Sequence, residues 1–340
     1  MNKKMWLTCL LILLLVVAAA CGNNNEAATN GTNDKPASTT DAEQKAYPTK
    51  PVKIIVGHAA GGSTDLVPRL IQPYLQKALG TPVVIENITG SSGMIAANTV
   101  YNAEPDGYTL LTLPNPTYVL IEMFQENAPE FKDFEYIGNI AGGESTGIAV
   151  SPDSDIKTYE DLIKKAKERD ILYACTQGLS NSTFGYVLLA DSEDIRFTKI
   201  PYESGSRAVS AVVGEHADVT VTSTMTLTPL IKNKELNVLA YFAEEELPGY
   251  EGVPLFSDMH PGVGYSCFIG LVAPPNTPDY IVKALRDALA QAAQDPEYIA
   301  STEGKYFVEY IAGEEYEEKV LQLYKSSEAL RDTVEATMND

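Results

Sequence analysis

The chain is short of the residues that most catalytic and metal chemistries need. Its 340 residues include three histidines and four cysteines. His58, His216 and His260 stand alone, with no Cys or His at metal-ligand spacing, which argues against a zinc site. Basic residues are scarce as well: 25 Lys and Arg against 46 Asp and Glu give a formal net charge of −21. That sign disfavours nucleic acid and anionic membrane surfaces. It also repels small anions, so an anion site here must draw local positive potential from backbone dipoles. Long apolar runs are missing except for Met5–Ala20, which is shorter than the about 20 residues of a membrane span.

What that first run does offer is an address. Lys3 and Lys4 precede it and small residues close it, the pattern of a secretory signal peptide over residues 1–20. Its end, Ala18-Ala19-Ala20-Cys21-Gly22, resembles the lipobox of bacterial lipoproteins, with Ala18 where leucine is more usual. The resemblance implies cleavage before Cys21, lipidation of its thiol and a membrane anchor; the alternative is an ordinary signal peptide with a chance cysteine. Two acyl chains hold a protein on a membrane where one does not. Residues 21–46 are Asn-rich and nearly devoid of large apolar side chains, so they read as a lipidated cysteine followed by a flexible tether, reaching about 25–30 Å. Of the remaining cysteines, Cys175 and Cys267 lie far apart in apolar runs and read as two buried free thiols rather than a disulfide.

The folded part begins near Tyr47-Pro48. A β-branched run, Val52–Val56, is followed by Gly57-His-Ala-Ala-Gly-Gly-Ser-Thr-Asp65 and then by an apolar stripe at helical spacing from Leu66 to Leu79. This predicts a strand, a glycine turn and a helix capped by Ser63, Thr64 or Asp65. N–H groups at such a helix start favour an anion. The spacing nearly matches a P-loop, but Ser63 stands where the phosphate-binding lysine belongs, so a nucleotide is a poor fit. Strand and helix patterns go on alternating. Strands are expected at 83–86, 108–113, 148–151, 171–175, 196–200, 219–222, 237–242, 265–273 and 306–310. Helices are expected at 93–103, 159–168, 277–294 and 313–335, with helical stretches between the strands from 171 to 242 and a short helix between 294 and 306. The fold class is therefore α/β, with largely parallel sheets and right-handed crossovers. Turns at 57–64, 89–93, 114–117, 176–183, 204–207 and 223–228 follow strands, and in open α/β sheets ligands bind at that end. No internal sequence repeat is visible.

Several motifs occur in order across the chain. They include Leu79-Gly80-x-Pro82-Val83-Val84-Ile85-Glu86-Asn87, Gly90-x-x-Gly93, Pro105-Asp106-Gly107-Tyr108-Thr109-Leu110-Leu111, Ile200-Pro201-Tyr202-Glu203-Ser204-Gly205, Gly214-Glu215-x-Ala217-Asp218 and Ala273-Pro274-Pro275-x-Thr277-Pro278. With Tyr47-Pro48-x-Lys50-Pro51-Val52 and Gly61-Gly62-x-x-Asp65, this order resembles the tripartite tricarboxylate transporter substrate-binding proteins, also called the Bug family of periplasmic receptors. The resemblance implies a two-domain periplasmic-binding-protein type II (Venus-flytrap) fold with two hinge strands, near Gly147–Ser151 and Tyr265–Ala273. One domain would hold residues 47–147 and 268–340, the other 148–267.

The resemblance further implies an extracytoplasmic, non-catalytic receptor. It would take up a small organic carboxylate (mono-, di- or tricarboxylate, or an amino acid) and pass it to small and large transporter membrane subunits. Nucleic acid, cofactor and metal are not expected, and a monomer is. The ligand would be held by backbone N–H groups and hydroxyls. From the first domain the loop Ala60, Gly61, Gly62, Ser63, Thr64 and Asp65 would grip it, with Gly90, Ser91 and Gly93 adjoining and Asn115 nearby. From the second, Thr176, Gly178, Ser180, Asn181 and Ser182 would close, with Tyr202, Ser204, Gly205 and Arg207. Departures from the family pattern fall in these loops: Ser180 replaces a glycine, Phe184 a histidine, and Arg207 a small residue or proline. Arg207 either meets a distal carboxylate or is a solvated or ion-paired helix-start residue. Asp65 either caps the helix or takes a substrate ammonium. Two other functions use the same cleft: a sensing subunit for a membrane signalling protein, or an enzyme. The loops hold no paired His and acid and no activated nucleophile.

Overall fold

The computed structural model describes residues 46–243, 245–303, 308–328 and 331–339. The signal peptide, Cys21 and the tether up to residue 45 lie outside the described residues. The first part of the chain forms β1 (Val52–Val56), α1 (Ser63–Leu79), β2 (Val83–Asn87), α2 (Met94–Tyr101), β3 (Thr109–Asn115), α3 (Thr117–Phe124) and β4 (Glu135–Glu144). Next come β5 (Thr146–Val150), α4 (Tyr159–Glu168), β6 (Leu172–Thr176), α5 (Asn181–Glu193), β7 (Thr198–Tyr202), α6 (Gly205–Val213), β8 (Val219–Ser223), α7 (Thr224–Lys232), β9 (Asn237–Tyr241) and α8 (Phe256–Met259). The chain ends with β10 (Cys267–Ala273), α9 (Asp279–Ala293), α10 (Pro296–Thr302), β11 (Ile311–Ala312), α11 (Gly313–Glu328) and α12 (Arg331–Asn339).

Two sheets result, ordered β11-β4-β10-β3-β1-β2 and β7-β6-β8-β5-β9. The five strands β2-β1-β3-β10-β4 of the first correspond in order to β7-β6-β8-β5-β9 of the second. The two sheets thus repeat one topology, although no sequence repeat announces it. Neither is largely parallel. β1 runs parallel to β2 and β3, and β6 parallel to β7 and β8, but β10 and β5 run antiparallel to both of their neighbours. The reason is the route of the chain. It leaves the first sheet at Glu144, enters the second at Thr146, and returns to the first at Cys267. Each entering strand lies head-on to strands of the sheet it joins. Mixed sheets of this kind are common.

Local chemistry accounts for the element ends. Gly80 takes a left-handed conformation (φ 67°) and stops α1. Thr158 and Asp161 form a reciprocal capping box at the start of α4. Central strands are apolar on both faces, because helices cover each sheet: every residue of β5 is buried, and so is every residue of β3 after Thr109. Gly270 lets Tyr316 lie against β10, since a Cβ there would come within 2.3 Å of the ring. Cys175 and Cys267 are both buried and free.

Four expectations need correction. α1 starts at Ser63 with Gly62 as its cap and no side-chain cap bond. The strand expected at 306–310 lies partly outside the described residues, and the strand there is Ile311–Ala312. The single helix expected over 313–335 is described as α11 and α12. β4 and α3 were not expected at all. No described helix is long and apolar enough to cross a membrane.

Candidate functional site: a cleft between the two sheets

Five helices begin at the carboxyl ends of parallel strands and send their first turns into one cavity. Gly62, Ser63 and Thr64 come from α1, Thr117 from α3, Ser180, Asn181 and Ser182 from α5, Ser204 and Gly205 from α6, and Ser223 and Thr226 from α7. His58, Ala59, Thr176, Glu203 and Thr222 complete the wall. The first N–H groups of a helix have no intrahelical partner and carry the positive end of its dipole. Side chains satisfy some of them: Ser180 accepts from Thr183, Ser204 from Arg207 and Ser223 from Met225. Two others are also satisfied: Thr117 N–H donates to Asn181 Oδ1 and Thr224 N–H to Ser145 O. The volume of the cavity is about 70 Å³; one water needs about 10–15 Å³, so this arrangement holds a short ligand or a few waters.

The first-sheet turn is held by charge. The Asp65 carboxylate is buried and accepts from Gly61 N–H at 3.0 Å, Arg69 Nε at 2.9 Å and Asn87 Nδ2 at 2.8 Å. Burial would raise its pKa, but those hydrogen bonds prevail and hold it below the usual carboxylate range. Arg69 Nη2 also reaches Asn87 Oδ1 at 2.9 Å. Asp65 therefore spends its oxygens on Gly61, Arg69 and Asn87, and it neither caps α1 nor lines the wall. Behind the turn, Gly57 and Gly93 pack so closely that a Cβ on Gly57 would lie 2.9 Å from Gly93 Cα and from the Tyr118 hydroxyl. His58 is half-buried with its Nδ1 closed off and without a hydrogen-bond partner among the described residues. Burial pushes its pKa down to about 4, so the imidazole is neutral at pH 7.

The two sheets touch across the cleft. Asn181 Oδ1 accepts from the Thr117 hydroxyl at 2.7 Å and from its N–H at 3.1 Å. Leu179 N–H donates to Ser92 Oγ at 2.9 Å. At the crossings, the Tyr265 hydroxyl bonds to Thr146 Oγ1 at 2.5 Å and to Asn181 O at 3.2 Å, and Ser145 Oγ donates to Tyr265 O at 2.9 Å. Glu144 is fully buried beside them. One of its oxygens accepts from Ser223 Oγ at 2.6 Å, and the other has no partner among the described residues. Burial outweighs the bonds from Ser223 and Met225 and raises its pKa to about 7.

Among the described residues no Lys or Arg lines the cavity. Glu203 is the one acid among the described lining residues; it is exposed and forms no hydrogen bond or ion pair with them. The wall can accept an anion through N–H groups and hydroxyls. It offers no His–acid pair for proton transfer: the one His–carboxylate pair among the described residues, His260–Glu193 at 2.9 Å, packs with Tyr159 outside this cavity. Among the described residues no cluster of His, Cys, Asp and Glu is placed to hold a metal ion.

Of the residues singled out from the sequence, Gly62, Ser63, Thr64, Thr176, Ser180, Asn181, Ser182, Ser204 and Gly205 meet on this wall. Ala60, Gly61, Asp65, Gly90, Ser91, Gly93, Tyr202 and Arg207 stand off it; Gly61 and Asp65 hold the turn, and Arg207 is exposed. Asn115 is buried, with Nδ2 3.2 Å from the Tyr316 hydroxyl. Gly178 lines a separate cavity of about 320 Å³ with Tyr173, Cys175 and Tyr186, and Thr176 borders both. His58, Ala59, Thr117, Glu203, Thr222, Ser223 and Thr226 were not singled out. The turns 114–117 and 223–228 carried the signal for three of them, since both follow strands that point at the cleft.

The family model described as tripartite tricarboxylate transporter family receptor matches residues 67–324. A UPF0065 protein encoded in the gbd 5' region of Cupriavidus necator is 30% identical over 298 residues, covering 86% of this chain and 90% of that one. Protein BugT of Bordetella pertussis is 24% identical over 253 residues, covering 73% and 78%. Among solved structures, one described as a periplasmic transporter is 27% identical with a TM-score of 0.77, covering 85% of this chain and 98% of that one. The malate-bound MatC of Rhodopseudomonas palustris is 25% identical with a TM-score of 0.75, covering 85% and 100%.

Proposed function

The chain belongs to the tripartite tricarboxylate transporter receptor family, and from that membership we propose that it captures a small organic carboxylate in the cleft and delivers it to transporter membrane subunits. One observation carries the reading: five helix N-termini converge on a cavity whose wall, among the described residues, carries no Lys or Arg. Such a site favours an anion through dipoles and N–H groups alone, which is what a protein of net charge −21 needs to bind one. The malate carried by MatC supports the ligand class. The wall residues Gly62, Ser63, Thr64, Thr176, Ser180, Asn181, Ser182, Ser204 and Gly205 are the proposed contacts, joined by Thr117 and Ser223.

The halves built on the two sheets, residues 47–144 with 267–339 and residues 146–265, would act as two domains that close about the crossings at Ser145 and Ser266. The receptor acts without turnover. It works outside the cytoplasm, held to the membrane by lipid on Cys21. A thermal-shift screen of the mature chain, stripped of carried-over ligand, tests the core of this proposal. A ligand at about 100 times its dissociation constant adds about 2.7 kcal/mol. Stabilisation by carboxylates, with the acid recovered unchanged, is the expected result. Stabilisation by neutral solutes alone, or conversion of the acid, overturns it.

A further inference from the structure

Two carboxyls are buried among the described residues, and their surroundings differ. Asp65 has an arginine, an amide and a backbone N–H. Glu144, wholly closed off from solvent at the end of β4, has no cation: its pKa is moved only by burial and by the bonds from Ser223 and Met225. One oxygen accepts from Ser223 Oγ at 2.6 Å, and the other has no partner among the described residues. The titratable groups that feel its charge are the Cys267 thiol on β10 and the Tyr250 and Tyr265 phenols. Burial raises the pKa of all three, so they stay neutral near pH 7. Ser223 connects this carboxyl to the cleft. It ends β8, caps α7 by accepting from Met225 N–H at 3.2 Å, and lines the cavity. Next to it Thr224 N–H donates to Ser145 O at 2.9 Å and Thr224 Oγ1 accepts from Ser145 N–H at 3.1 Å, which ties the start of α7 to the crossing.

A hydroxyl has one proton to give and two lone pairs to receive. An ionised Glu144 can only accept, so Ser223 then points its proton at the carboxylate and away from the cavity. A protonated Glu144 can donate to Ser223 Oγ instead. The bond from Met225 remains, and the Ser223 proton is released to an acceptor in the cavity. We propose that anion binding in this cleft is proton-linked: a bound carboxylate draws a proton from solvent onto Glu144, and Ser223 transmits the coupling. Glu144 touches no ligand and acts by positioning the Ser223 proton. The inference rests on the reading of this cleft as a carboxylate site and adds how its hold is regulated. Direct repulsion has the same sign, because an anion in the cavity disfavours a second negative charge behind a partly desolvated wall. His58 and Asp65 do not contribute near pH 7, since burial keeps the imidazole neutral and its hydrogen bonds keep the carboxylate ionised.

The test is calorimetry on the mature chain, unfolded and refolded to remove carried-over ligand. The probes are acetate, benzoate, malate and glutamate, whose carboxyls are ionised from pH 6.5 to 8.5. A hydrogen bond to a charged group is worth about tenfold in affinity. With free Glu144 titrating near pH 7, the affinity of a probe that binds should fall about fivefold across that range as pH rises. Titrations in buffers of different ionisation enthalpy should show about half a proton taken up per anion near pH 7.5. Glu144→Gln is neutral and can donate from its amide, so it should keep the pH 6.5 affinity at pH 8.5 and take up no proton. Ser223→Ala keeps the titrating carboxyl without its messenger, and it should bind more weakly at pH 6.5 with less than about twofold pH dependence. A parent chain that binds with equal strength across the range and takes up no proton would overturn the linkage and leave the carboxylate receptor standing. So would either variant with the parent's pH profile. Failure of every probe to bind at pH 6.5 would overturn the receptor reading, and the linkage with it.

Discussion

The two sheets repeat one strand order, and both aim helix N-termini at the cleft, yet they fix their cleft-facing turns by opposite means. In the first sheet a buried carboxylate, Asp65, gathers Gly61, Arg69 and Asn87 around itself. In the second, neutral hydroxyls do the work: Ser180, Ser204 and Ser223 each cap a helix. The direction in which the helices point comes from topology, which is shared. The side chains only hold the turns, and that task admits either a charged or a neutral solution. The two solutions differ in what breaks them.

Asp65→Ala should have the largest effect. It strands the Gly61 and Asn87 donors and leaves Arg69 without its ion-pair partner, for a loss of about 2–4 kcal/mol in urea unfolding. A loss below about 1 kcal/mol would erase the contrast with the second sheet. The crossing between the sheets supplies the next test. Glu144 has its pKa raised by burial to about 7 from 4.5. Between those values the folded chain keeps a proton that the unfolded chain has released, so stability should fall as pH rises through that window. Glu144→Gln stays neutral, and at pH 8 it should be more stable than the parent by about 2–3 kcal/mol, with the slope gone. An unaltered slope would place the titration elsewhere.

His58 works in the other direction. Its pKa is lowered by burial to about 4 from 6.5, so its contribution is present above pH 6.5 and is lost as pH falls toward 4. His58→Gln should flatten that acid limb and leave the Glu144 limb in place, which separate melting curves at pH 4.5, 6 and 8 would resolve. Ser180→Ala and Ser204→Ala should each cost about 1 kcal/mol, the ordinary worth of a helix cap. Equal losses at these caps and at Asp65 would again dissolve the comparison. The smallest effect belongs to the contact between the halves. Asn181→Ala removes the acceptor for Thr117 at a cost of about 0.5–1.5 kcal/mol. Its clearer sign is a larger radius of gyration in ligand-free solution scattering; an unchanged radius would mean that this contact does not hold the sheets together.

Much of the scaffold could be read from the chain because local and global preferences agree. Val52–Val56 is β-branched and ends in a glycine turn, and α1 carries its apolar stripe openly. The elements that escaped have physical reasons to. α3 is buried from Thr117 to Ile121, so it has no polar face to mark a helical period, and its Thr, Tyr, Val and Ile suit a strand as well. β4 contains Gly138, Gly142 and Gly143 and reads as a loop. Its glycines are explained by packing: a Cβ on Gly138 would come within 3.0 Å of Ile311 O and Leu289. The cleft was legible as a set of turns at strand ends, and less so as individual residues. Whether Asp65 faces the cleft or braces its own loop depends on Arg69 and Asn87, the latter 22 positions away.

The convergence of five helix starts has a consequence for how this cleft can change over generations. A peptide N–H belongs to the main chain, so every substitution except proline leaves it in place. The attraction for an anion is thus written into the path of the backbone, and point mutation has little purchase on it. The hydroxyls and the single acid around it carry no such protection. Selectivity can therefore drift, one side chain at a time, across small acids of many shapes without the chain ever passing through a form that has lost its hold on anions.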